Sequence, residues 1–448
     1  MYRLTRRTAL GAIPSVAALA WASEAMARQG GGTPMASPAA GGDEVERGLT
    51  PVAGFENPEL DFQLIRSLGA DVYGGGAAGE LFFARTAIGE DPYAWPPAFD
   101  GIAQSAQDAG TEADDAGRAA TARQHYLRAS NYWRAAEYFS DPYSDDRLPR
   151  GMASREVFQR AIPYLRHQVE PVRIPFEDVE LPGYFMTPAT DANGVTLVVI
   201  SGFDGTNEEL WFETALEGLD RGYTVLVAAG PGQVDAMRDY PDLIFRPDYE
   251  KPIGAMLDFA LARPNVDPER LAFYGISLGG HFAIRGAEHD DRIKALIVNS
   301  PIPNLFAYMM GFVGGGGEDG GEGDGPPDVT LDEIDYIPDE YMPRTQKLSL
   351  KSAFKRYGVD SLSGWIAVLQ EFDATDALGD IACPSLAMVG EGEGGVSRQQ
   401  SQLFVDKVSG PVTERVFLQS EGAEMHCQFG NLQLSNAVIY DWLSDTLG

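Results

Sequence analysis

From residue 172 onward, the apolar positions gather into short continuous runs separated by longer stretches of mixed character. Val172 to Pro175 and Leu181 to Thr187 read as a hairpin. Thr196 to Ile200, Thr224 to Ala228, Arg270 to Tyr274, Ala295 to Val298, Ser385 to Val389 and Thr413 to Leu418 read as further strands. Runs this apolar, alternating with helical stretches, suit strands buried on both faces. They predict the α/β class, with a mostly parallel sheet covered by helices. Right-handed crossovers then bring the loops that follow the strands to one edge, where ligands bind. Upstream, Asn57 to Leu165 reads helical apart from a turn at Asp71 to Gly76. Its clearest segment is Ala120 to Phe139, where Tyr126, Ala129, Trp133 and Ala136 recur near helical spacing. A last helix is expected over Leu432 to Leu447.

The chemistry begins at Gly275-Ile276-Ser277-Leu278-Gly279, set between an apolar run and the helical stretch His281 to Glu288. Strand, sharp turn and helix is the context in which G-x-S-x-G marks a nucleophile elbow, with the serine pushed into the open. A serine nucleophile needs a base. Of five histidines, His125 and His167 precede the sheet, while His281 and His289 lie on the elbow helix. Only His426 follows the last strand, the place of the base in the order Ser, acid, His. The acid is expected in the turn after Ser385 to Val389, which reads Gly390-Glu391-Gly392-Glu393-Gly394-Gly395. Glu393 fits a Gly-x-x-acid pattern and Glu391 is the fallback; Asp373, Asp376 and Asp380 lie upstream of the strand. The acid's work is to hold the imidazole tautomer and stabilise the imidazolium. The N–H of Phe203, or alternatively of Asp204, in the loop Ser201 to Thr206 is expected to join that of Leu278 as an oxyanion hole.

Charge and composition narrow the partners. The chain of 448 residues has a net charge of −32, which disfavours nucleic acid and anionic membranes. Thr5-Arg6-Arg7-Thr8-Ala9-Leu10, the apolar run Ala12 to Trp21 and Ala25-Met26-Ala27 read as a twin-arginine leader over residues 1–27, with export of the cleaved protein and no membrane insertion afterwards. Residues 28–56 read as a disordered linker, 57–166 as a helical domain, and 167–448 as the α/β domain with a cap insertion over about 302–375. Gly314 to Gly325, a run of Gly, Glu and Asp, is expected to be a dispensable surface loop or a lid hinge. Cys383 precedes one strand and Cys427 follows the next, at opposite ends of a parallel pair, so free thiols are expected. No ligand-like spacing surrounds either cysteine, and neither metal nor cofactor is expected. A homodimer is left open.

Several segments together resemble one family. They are the helix Arg123 to Phe139, Pro175-Phe176-Glu177, Leu181-Pro182-Gly183-Tyr184, Asp204 to Glu209, Gly230-Pro231-Gly232-Gln233, Arg263 to Pro268 and Gly422 to Gln428. The pattern is similar to that of the α/β-hydrolases that include 2,6-dihydropseudooxynicotine hydrolase, the FrsA-like proteins and the fungal yellowish-green pigment hydrolases, over roughly residues 57 to 448. The resemblance implies an α/β-hydrolase fold with a helical domain over the active-site edge. It also implies cleavage of an ester or of a carbon–carbon bond beside a ketone in a small carbonyl substrate. Ser277 and His426 carry over directly; the acid is usually aspartate, where this chain offers glutamates. Tyr132 and Trp133 of the signature helix and Gln233 of the Gly230 turn are the expected substrate contacts. A prolyl-oligopeptidase-like peptidase, and a non-catalytic binding protein on the same scaffold, are the alternatives.

Overall fold

The computed structural model describes residues 52–312 and 328–448. The expected leader, most of the linker and the Gly314 to Gly325 run lie outside the described residues. Eight strands form one sheet: β1 (Gln168–Phe176), β2 (Val179–Thr187), β3 (Thr196–Ile200), β4 (Thr224–Ala228), β5 (Leu271–Ile276), β6 (Ala295–Asn299), β7 (Ser385–Gly390) and β8 (Val412–Phe417), in the order β1-β2-β4-β3-β5-β6-β7-β8. The hairpin β1–β2 is antiparallel and joins β4 antiparallel; all other pairings are parallel. Every residue of β3 to β7 is buried, which is why those strands read as unbroken apolar runs. At the edge, β8 carries Thr413 and Glu414 on exposed positions. The chain runs from β3 outward to β4, then returns to lay β5 on the other side of β3. That reversal opens a crevice at the carboxyl ends of β3 and β5, where ligands of doubly wound sheets bind.

Among the described residues, five α-helices precede the sheet: α1 (Pro58–Gly69), α2 (Ala78–Ile88), α3 (Trp95–Asp115), α4 (Ala119–Tyr138) and α5 (Arg147–Ala161). Trp95 stacks on Phe99 at 4.6 Å, and Tyr126, Ala129 and Ala136 of α4 are fully buried among them. Each such large apolar side chain contributes about 1.5–3 kcal/mol on burial. This front domain meets the sheet through a buried seam of ion pairs. Arg66 of α1 grips Glu209 at 2.6 Å and Asp204 at 3.2 Å. Arg155 of α5 meets Asp239 at 2.7 Å and Asp235 at 3.3 Å. In the reverse sense, Arg238 from the sheet side pairs with Glu137 of α4.

Between β6 and β7 the chain forms the cap helices Leu305–Phe312, Arg344–Tyr357 and Leu362–Leu369. The cap's neck is closed by Leu305 N–H on Phe372 O (3.1 Å) and Ala374 N–H on Pro303 O (2.8 Å). Cys383 and Cys427 are both free thiols.

Candidate active site

Ser277 sits at the turn between β5 and the helix Leu278–His289, with φ 57° and ψ −126°. A non-glycine residue held there stores about 1–3 kcal/mol of strain. The surroundings impose it: Ser277 N–H donates to Asn299 O at the end of β6, and Gly280 N–H returns to Ser277 O at 2.8 Å. Strand, helix and the β3 loop are in backbone contact. A Cβ on Gly275 would strike the Gly279 carbonyl, and one on Gly202 would lie 2.6 Å from Ser277 Cβ and 2.8 Å from Leu278 N. Only glycine permits this approach.

His426 begins the short segment His426–Asn431, in which Cys427 and Gln428 have left-handed φ of 56° and 52°. Gln428 Oε1 accepts from Asn299 Nδ2 at 2.9 Å, so the loop is pinned to the end of β6. The imidazole lies between two partners. Its Nε2 is 2.8 Å from Ser277 Oγ and its Nδ1 is 2.7 Å from Glu393 Oε2. Glu393 also accepts from Ser300 Oγ (2.6 Å, at Oε2) and from Gly390 N–H (2.7 Å, at Oε1). Its side chain is 3 % exposed and that of His426 28 %, so the acid is sealed while the imidazole remains reachable. Glu391 points elsewhere: its exposed carboxylate accepts from Gln419 N–H at 3.0 Å.

Burial alone would raise Glu393, but His426, Ser300 and the Gly390 N–H hold it below the usual glutamate range. For His426, burial opposes the charged form, yet Cys427, Glu393 and Tyr308 outweigh it and raise the imidazole well above its ordinary value. Burial pushes the Cys427 thiol up to about 11. A neutral thiol at Cys427 and an anionic Glu393 leave the carboxylate as the charge that favours imidazolium near neutral pH.

Leu278 opens its helix, so its N–H has no intrahelical acceptor. Among the described residues, the N–H groups of Phe203 and Asp204 also donate to no protein acceptor. The Asp204 carboxylate turns away to Arg66.

The other histidines stand apart. His281 donates from Nδ1 to Ile302 O at 2.9 Å, and burial lowers it to about 4. His289 caps its own helix by donating to Arg285 O, His167 lies beside Asp220, and His125 beside Arg128.

The three expected substrate contacts are corrected. Tyr132 is fully buried in the front domain, where its hydroxyl donates to Glu80 (2.7 Å) and accepts from Ala77 N–H (2.9 Å). Trp133 faces α3 and donates to Gln107 at 2.9 Å. Gln233 is buried and fully engaged: Nε2 donates to Ser201 O and to Gly202 O (3.3 Å), and Oε1 accepts from Gly230 N–H at 2.7 Å. It braces the β3 loop from behind. Sequence reasoning missed Ser300 and Gly202, whose only signal was their place just beyond β6 and β3. Among the described residues, no group of His, Cys, Asp and Glu is arranged to hold a metal ion. Nor is any helix there long and apolar enough to cross a membrane.

No family model matches the chain. Hydrolase LUC6 of Fusarium sp is 29% identical over 424 residues, covering 88% of this chain and 98% of that protein. Hydrolyase poxO of Penicillium oxalicum is 30% identical over 361 residues, covering 74% and 82%. The solved structure of 2,6-dihydroxy-pseudo-oxynicotine hydrolase superposes with a TM-score of 0.64 at 20% identity, covering 85% of this chain and 95% of that one. That likeness shows a shared fold, front domain included.

Proposed function

Because the chain belongs to the α/β-hydrolase family of 2,6-dihydropseudooxynicotine hydrolase and the fungal hydrolases, we propose that it cleaves an ester, or a carbon–carbon bond beside a ketone, through Ser277, His426 and Glu393. The observation that carries this reading is the continuous chain from Ser277 Oγ through the imidazole to Glu393, at 2.8 and 2.7 Å. In this mechanism Ser277 Oγ bonds to the substrate carbonyl carbon while its proton passes to His426 Nε2. The oxyanion is held by the N–H of Leu278 and that of Phe203, with Asp204 N–H as the alternative donor. Collapse breaks the bond to the leaving group, which takes the proton from His426. It departs as an alcohol from an ester, and from a β-dicarbonyl as an enolate that the proton converts to a ketone. Water, deprotonated by the same imidazole, then releases a carboxylic acid. Glu393 keeps the proton on Nδ1 and stabilises the imidazolium. The test combines a fluorophosphonate probe with a panel of nitrophenyl esters, aromatic β-diketones and peptide amides. Labelling at Ser277 and turnover of an ester or diketone are expected. Intact folded protein that takes no label would overturn the covalent mechanism, and turnover of amides alone would favour the peptidase reading. We also propose export through the twin-arginine leader, supported by Arg6-Arg7 and the Ala25-Met26-Ala27 cleavage pattern.

A further inference from the structure

A cavity of about 110 Å³ lies where three parts of the molecule meet. These are the α4–α5 region, the cap helix Arg344–Tyr357, and the helix Val234–Asp239 that follows β4. Arg147, Arg238, Lys355 and Arg356 line it, against one carboxylate, Glu137. In a chain of net charge −32, that is the reverse of the background.

Arg238 is already neutralised by Glu137, Asp235 (2.7 Å) and Glu208 (3.3 Å), and Glu137 is used in doing so. The other three cations are not. Among the described residues, no carboxylate lies within 4.0 Å of Arg147, Lys355 or Arg356. Their hydrogen bonds go to neutral groups. Arg147 donates to Ser140 O at 2.8 Å and Lys355 to Pro142 O. Arg356 donates to Gly232 O at 2.8 Å and to Ser352 Oγ at 3.2 Å. Burial holds all three below their ordinary values, Arg356 at about 10, and Arg147 and Arg356 further depress Lys355. Arg356 is buried and Arg147 and Lys355 are half-buried; the carboxylates of Glu137, Asp141 and Asp204 offset their charge only from beyond ion-pair distance, and converging cations so weakly answered favour an added anion. Guanidinium forks match carboxylate and phosphate oxygens in geometry as well as charge. Leu148, Val234 and Met237 give the remaining wall an apolar character suited to a short carbon skeleton.

We propose that this cavity binds a small oxyanion, a carboxylate or phosphate group on a compact molecule, held by Arg147, Lys355 and Arg356. None of Ser277, His426 and Glu393 lines the cavity. The link to the catalytic edge is Arg356, whose guanidinium carbon lies 4.9 Å from the ring centroid of Phe203. An anion here would tie front domain, cap and sheet together and fix Arg356 against Phe203. It comes either as a free molecule or as the acidic end of a substrate.

The experiment is calorimetric titration of the full-length protein at low ionic strength with inorganic phosphate and with succinate. Saturable binding of at least one is expected, weakened about tenfold or more in Arg147→Gln and in Lys355→Gln, and unchanged in Ser277→Ala. Circular dichroism checks that the variants fold. Added anion should raise the melting temperature of wild type and raise those of the two variants less; an equal rise in all three would count against the proposal. No saturable binding of either anion, or equal binding by the Arg147→Gln/Lys355→Gln double variant, would overturn the proposal. Titration needs no turnover, so it stands or falls independently of the role given to Ser277. Inhibition of a neutral ester's hydrolysis distinguishes the sources: a competitive pattern marks the acidic end of a substrate, a non-competitive one a free anion.

Discussion

Replacing Glu393 by glutamine keeps the shape of the side chain and changes one of its two oxygens to a donor. In the protein both oxygens accept: Oε1 from Gly390 N–H, and Oε2 from Ser300 Oγ and His426 Nδ1. The amide can meet this in two ways. If its oxygen stays on Gly390, its NH2 faces His426. The ring must then place its proton on Nε2, where it can no longer accept one from Ser277. If the amide flips, its NH2 confronts the Gly390 N–H, and one buried donor loses its partner. The flip costs about 1–3 kcal/mol of stability in a site this buried, so the first orientation, which keeps its hydrogen bonds by changing the imidazole tautomer, is favoured. In the first orientation the wrong tautomer lowers turnover by about 10⁴, or roughly 5.5 kcal/mol of barrier. Stopped-flow release of nitrophenol, with thermal melts on the same samples, reads both quantities. Glu391→Gln is the control, because its carboxylate meets only Gln419 N–H at an exposed position and should change turnover by less than about threefold. Turnover of Glu393→Gln within tenfold of wild type, or an equal loss in Glu391→Gln, would refute the reasoning.

Since His426 must be neutral to accept a proton and its value is raised, the acid limb of kcat/KM should lie above 6.5 and move down in Glu393→Gln. Because Glu393 is lowered in the folded state, its stabilising contribution should be full above about 4.5 and fade as pH falls through the lower folded value, as acid titration of melting temperature would show. Gly202→Ala should lower kcat about 10²–10³-fold and also lower the melting temperature, since the new Cβ sits 2.6 Å from Ser277 Cβ and 2.8 Å from Leu278 N and displaces the oxyanion loop; unchanged kcat in the folded variant would show the loop is not used. Tyr132→Phe should lose about 1–3 kcal/mol of stability, by denaturant titration, and leave kcat/KM alone, because both partners of its hydroxyl lie in the front domain. Mass spectrometry of secreted protein should find a start near Arg28, and an intracellular protein retaining Met1 would count against export.

The arrangement of Ser277, His426 and Glu393 was legible because its signals are local. A strand-turn-helix with glycines flanking Ser277 can be read within a dozen residues, and the ends of β7 and β8 follow from apolar runs bounded by turns. Glu393 was separable from Glu391 because a tight turn after a strand points residues in different directions at fixed offsets. The pocket was not legible. Tyr132 and Trp133 belong to a recognisable helix, but periodicity places residues on a face without saying whether that face meets ligand or core. Both meet the core. Gln233 was misjudged for a different reason: a polar side chain in an active-site loop can face inward to brace backbone, and the carbonyls it holds come from a different strand loop. The cationic cavity and the buried seam escaped entirely. Their partners, such as Arg66 with Glu209 and Arg238 with Glu137, are separated by more than a hundred residues, and nothing in a linear pattern announces which distant charges meet.

The seam between front domain and sheet has a consequence for how this chain can change over generations. Arg66 and Arg155 are contributed by one part and answered by Glu209, Asp235 and Asp239 of the other, while Glu137 answers Arg238 in the opposite direction. Leaving one buried charge unanswered costs about 3–5 kcal/mol, and a whole domain is stable by only about 5–15 kcal/mol. A recombination that exchanged the first 166 residues for a foreign helical segment would strand several of these charges at once and yield no folded product. The two parts are therefore inherited as a single unit, and a substitution on one side of the seam persists only with its reply on the other.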